Sequence, residues 1–134
     1  MKEYETWIEY AESALKVALE VKSTEGIRID DKCYLLQQAV EKVLKALLIY
    51  YNEKPPKIHN IQVLFSHLKP NTDIPKYIQA RTLCELTDFA IQKRYPGEYI
   101  EGISNEKYHQ YIDLTRLCFD WVRNTVNKKI ENNK

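Results

Sequence analysis

Between Cys33 and Tyr51 the apolar residues keep a helical period and cover more than half the circumference of the helix they define. Cys33, Leu36, Val40, Val43, Leu44, Leu47 and Tyr51 make the main face, and Leu35, Ala39, Ala46 and Tyr50 a second strip. Such a helix needs neighbours on several sides, so it is central in its bundle or lies at an interface. The scarcity of turn residues points the same way. With 3 Gly and 5 Pro in 134 residues, the chain has too few for the tight turns of a sheet protein, and a few long helices are favoured.

The rest of the chain supplies those helices. From about Glu3 to Lys22, Trp7, Ala11, Ala14, Leu15, Ala18 and Val21 recur at spacings of three and four, and Gly26 follows as the stop. Asp30-Asp31 opens the central helix as N-cap and dipole partner, and it runs to about Tyr51 or Asn52. Lys54-Pro55-Pro56-Lys57 cannot continue a helix and reads as a stiff connector. A short helix spans about Asn60 to Leu68, a fourth about Pro75 to Lys93 or Arg94, and a fifth runs from the Ser104 cap to about Lys129. Short connections between long helices imply antiparallel neighbours. The expectation is an all-α, antiparallel up-and-down helical bundle of four long helices plus one short helix. It forms a single domain over 1–134, with 130–134 as a fraying tail.

Charge and cysteine content narrow the functions. Lys+Arg 20 against Asp+Glu 19 leaves a net charge of +1, so no global basic field draws the chain onto nucleic acid, and any anion site is local. Cys33, Cys84 and Cys118 are odd in number and widely spaced, without a C-x-x-C pair, so neither a zinc nor a redox motif is present and each reads as a small core residue. The opening Met-Lys-Glu-Tyr-Glu is too polar for a signal peptide, and no apolar run approaches a membrane span. The expected compartment is the reducing cytoplasm. No phosphate-binding glycine loop, metal-ligand set or nucleophile motif occurs, and no metal or cofactor is expected.

Three features exceed the needs of a plain bundle. Arg94 projects from the apolar face of the fourth helix at its C-terminal end. It either complements the dipole there or clamps a phosphate with its two-pronged guanidinium. Tyr34, Gln38, Glu41 and Lys45, with Lys42 beside them, stack along one side of the central helix. They form either a solvated face with a Glu41–Lys45 pair or a polar groove. Pro55-Pro56-Lys57-Ile58-His59-Asn60 delivers His59 to the start of the short helix, whose N–H groups attract anions, unless Asn60 merely caps that helix and His59 is a surface residue. His67 and His109 have no such setting.

Together these segments resemble the HEPN family, over roughly Tyr4 to Val126. Trp7 and the Ala11/Ala14/Ala18 repeat begin the resemblance. Its strongest part is Cys33-Tyr34-Leu35-Leu36-Gln37-Gln38-Ala39-Val40-Glu41-Lys42-Val43-Leu44-Lys45-Ala46-Leu47-Leu48. Pro56-Lys57-Ile58-His59-Asn60-Ile61 and Arg94-Tyr95-Pro96 follow in order. The resemblance implies a bundle that commonly dimerises and is often encoded beside a small nucleotidyltransferase. Ribonuclease toxins of the family carry Arg, four to six residues, then His. Arg94, Arg81 and Arg116 have no histidine in that window, so the resemblance leans away from an enzyme.

The leading expectation is therefore a non-catalytic nucleotide-binding and protein-interaction module. It would be a homodimer and the companion of a nucleotidyltransferase in a toxin–antitoxin-like pair. Arg94 would contact phosphate, aided by Lys45, Lys42, His59 and Tyr95, with Gln38 and Glu41 orienting the cations and the second apolar strip of the central helix forming the dimer seam. Two alternatives stand beside it: a metal-independent ribonuclease using His59 and Arg94, and a purely structural interaction domain without a ligand.

Overall fold

The structure, a computed structural model, describes residues 2–21, 27–92 and 103–132. Helices α1 (Glu3–Glu20), α2 (Ile29–Tyr50), α3 (Ile61–Leu68), α4 (Ala80–Cys84), α5 (Thr87–Gln92) and α6 (Asn105–Asn132) follow in order, with a 3-10 turn at Lys76–Ile78. The chain is all-α, and no strand occurs among the described residues.

Ring contacts set the directions. Tyr4, in the first turn of α1, meets Tyr50, in the last turn of α2, edge to face with centroids 5.1 Å apart, so these helices are antiparallel. Lys32 Nζ lies 5.7 Å from the ring of Tyr108. The starts of α2 and α6 therefore lie together and the two helices are parallel. Arg123 of α6 donates to Glu12 of α1 at 2.7 Å, which ties the outer pair together.

Helix α2 is the hub, packed against α1, α3, α5 and α6. Leu36, Leu44, Leu47 and Leu48 lose all their exposure, each burial contributing about 1.5–3 kcal/mol. The second apolar strip is filled by the chain itself. Ala39 and Ala46 are fully buried, and Tyr50 packs on Tyr4 and Tyr51. The expected dimer seam at Ala39 is thus corrected: small side chains there let another helix of the same chain approach closely.

Several boundaries differ from expectation for visible reasons. The N-cap of α2 is Arg28, so Asp30 and Asp31 sit inside the first turn and act on the dipole. The expected fourth helix is divided. Gln79, with φ 51, separates the 3-10 turn from α4. Beyond α4, Glu85 and Leu86 form i→i+3 bonds to Thr82 and Leu83. Leu83, Leu86 and Thr87 are buried along this stretch. Helix α6 is capped by Ser104, whose Oγ accepts from Lys107 N at 3.1 Å. It runs through Asn132, and 133–134 lie outside the described residues.

No helix among the described residues is long and apolar enough to cross a membrane.

Candidate functional site

The site begins where α2 stops. Asn52 takes the left-handed conformation at φ 62, a state Asn reaches at low cost. Asn52 N–H bonds Ile49 O, and Glu53 N–H bonds Leu48 O, both at 2.9 Å. This pair of bonds closes the last turn of the helix and reverses the chain. Pro55 and Pro56 then hold the chain extended. Climbing back from Asn52 to Glu41 covers roughly 16 Å of helix at ~1.5 Å per residue. The stretch from Asn52 to His59 reaches at most about 25 Å, so a mostly extended connector is needed for His59 to meet the middle of α2.

It does meet it. His59 Nδ1 lies 2.8 Å from Glu41 Oε1. The same oxygen accepts from Lys45 Nζ at 3.1 Å, and Glu41 Oε2 accepts from Gln37 Nε2. The Glu41 and Lys45 side chains retain only 6% and 13% of their exposure, whereas His59 retains 82%. A buried carboxylate is costly unless paired and hydrogen-bonded, and here three partners satisfy it. An ionised carboxylate can only accept, so Nδ1 carries the proton and Nε2 is turned to water. Lys57, exposed two residues earlier, adds a positive charge nearby.

The N-terminus of α3, expected to attract anions, is already occupied. Asn60 Oδ1 accepts from Val63 N at 3.2 Å, and Thr87 Oγ1 accepts from Ile61 N at 3.1 Å. Asn60 is the cap, as one reading of the sequence held, and His59 is a largely exposed residue bonded to Glu41.

The other expected site residues divide. Glu41, Lys45 and His59 come together. Lys42 is half-buried on α2 without joining their network, and Gln38 makes no hydrogen bond to Glu41; that contact belongs to Gln37, one residue earlier. Gln37 is almost fully buried, and the polar stripe in the sequence favours its neighbour Gln38 instead. Its signal was a glutamine four residues before Glu41, the i,i+4 spacing of a helix pair. Arg94 and Tyr95 lie outside the described residues. Among the described residues no group of His, Cys, Asp and Glu is placed to hold a metal ion.

The HEPN domain family model matches residues 4–125, and the chain belongs to the HEPN family. Among solved structures, an archaeal HEPN homologue is 28% identical, with 94% of this chain and 99% of that chain covered at a TM-score of 0.69. A protein from Thermus thermophilus is 23% identical, with 92% and 98% covered and a TM-score of 0.73, a likeness of fold. Comparison with functionally curated proteins gave no significant match.

Proposed function

We propose that the chain is a non-catalytic nucleotide-binding and protein-interaction module, acting as a cytoplasmic homodimer and as companion of a small nucleotidyltransferase in a toxin–antitoxin-like pair. The observation behind the binding role is the Glu41 node. A carboxylate buried in α2 holds an exposed histidine by one ring nitrogen and a lysine by the same oxygen. This arrangement holds the exposed imidazole in a fixed orientation, with Nε2 open to an incoming phosphate. Lys42, Arg94 and Tyr95 complete the proposed contacts, and the pairing with a nucleotidyltransferase rests on the family resemblance.

The test is thermal unfolding with a panel of nucleotides, for the parent and for Arg94→Ala and His59→Ala. Ligand at 100 times its dissociation constant adds about 2.7 kcal/mol, several degrees in a domain of this size. One nucleotide stabilising the parent but neither variant supports the proposal. No shift with any nucleotide moves the function to protein partners alone, the structural interaction domain.

The same geometry favours one enzymatic reading. With Nδ1 held by Glu41, His59 Nε2 has the orientation of a general base, and a ribonuclease would add Arg94 as the cation at the scissile phosphate. RNA cleavage that disappears in His59→Ala supports it. Intact RNA at high protein concentration removes it.

A further inference from the structure

A cleft of about 470 Å³ opens between α3 and the segment that carries the 3-10 turn and α4. Phe65, Ile74, Pro75, Ala80 and Cys84 supply its apolar surface, and Lys69, Lys76 and Arg81 its charge. No carboxylate is among the described residues that line it. All three cations are exposed, and none has an acidic partner among the described residues. The backbone brings them together. Gln79, at φ 51, turns the chain between the 3-10 turn and α4, so that Lys76 and Arg81 both reach the cleft. A left-handed conformation is unfavourable at a non-glycine residue. The chain accepts this where a straight helix from Pro75 was expected.

We propose that this cleft binds a small organic anion, an apolar or aromatic body carrying a phosphate, at a site separate from the Glu41–His59 node. The volume falls within the ~300–1,000 Å³ of small-molecule sites, too small for a folded partner. An apolar floor and a rim of one guanidinium and two ammonium groups match such an amphiphile. The body lies on Ile74 and Pro75, with Phe65 buried beneath them, while Arg81 offers paired donors to phosphate and the lysines offer point charges. A bare inorganic anion leaves the floor uncovered, and a neutral ring leaves the cations unanswered.

Cys84 reports on occupancy. It is half-buried in the cleft, whereas Cys33 and Cys118 are buried, so native thiol labelling reads Cys84. Burial and the Glu85 carboxylate push its thiol up, and nearby Lys69 pulls it down. The experiment is the labelling rate of the intact chain with iodoacetamide at fixed ionic strength. The additions are phenyl phosphate, phenol or inorganic phosphate. Phenyl phosphate at about ten times its dissociation constant should slow labelling about tenfold, because only the unoccupied fraction reacts. Phenol and inorganic phosphate should protect less. Lys69→Gln/Arg81→Gln, or Lys76→Gln alone, should weaken the protection, and His59→Ala should retain it. The proposal is overturned if phenyl phosphate gives no protection, if either component alone protects equally, if the charge variants are protected like the parent, or if His59→Ala abolishes the effect.

Discussion

His59 Nδ1 stands 2.8 Å from Glu41 Oε1, and this contact pins the connector that leaves α2 to the middle of α2 itself. The partners are unequal: one carboxylate is buried, and one imidazole is largely in water. That inequality sets the first pair of outcomes.

Glu41→Ala should cost about 3 kcal/mol, since Lys45 and Gln37 lose their acceptor in a buried place. His59→Ala should cost less than about 1 kcal/mol, as expected for an exposed member of a pair. Urea unfolding of both variants reads the difference. Equal losses would contradict the burial of Glu41.

Thr87→Val should destabilise by about 1–3 kcal/mol, because the buried Ile61 N–H loses its acceptor while shape is nearly kept. Thr87→Ser, which retains the hydroxyl, should lose less. If valine is tolerated as well as serine, the tie between α3 and α5 does not matter for stability.

Burial pushes the thiols of Cys33 and Cys118 up to about 12, with Asp30 adding to the effect at Cys33. The thiolate is the reactive form. Iodoacetamide should therefore label Cys84 first in the native protein, and the other two only after denaturant is added. Mass mapping of the modified peptides checks the order, and early labelling of Cys118 would show that the α6 core opens.

The same thiols tie stability to alkaline pH. Their folded values lie above the ordinary 9.0, so the neutral form is favoured in the native state. Their contribution is complete below about pH 9 and declines as pH rises from there toward about 12. Tyr111, raised by burial and then by its bond to Glu85, acts in the same direction above its ordinary value of 10.0. Melting temperature should be level from about pH 7 to 8.5 with respect to these groups and fall beyond about pH 9. A level curve to about pH 11 would contradict their burial.

The fold was legible because it depends on periodicity. The stripe from Cys33 to Tyr51 marked α2 as central, and Asn60 and Ser104 marked their helix starts. Periodicity could not show that the second strip of α2 would be covered from within the same chain, since apolar period looks alike whether filled by a self-contact or by a partner. It also passed through Gln79 and the 3-10 bonds at Glu85 and Leu86, where tertiary contacts such as Thr87 with Ile61 override a continuous helical pattern. At the site, Glu41 and Lys45 could be read as an i,i+4 pair and His59 named beside them. The arrival of His59 depends on a connector reversing after Asn52 across 18 positions of sequence, and the glutamine that bonds Glu41 is Gln37 rather than Gln38.

The most direct measurement is a calorimetric titration of the parent and His59→Ala with the nucleotide that gives the largest thermal shift. His59→Ala should bind about tenfold more weakly or worse, a loss of about 1.4 kcal/mol, with its melting temperature in the absence of ligand close to that of the parent. Undiminished affinity in His59→Ala would contradict the placement of the nucleotide at the Glu41–His59 node.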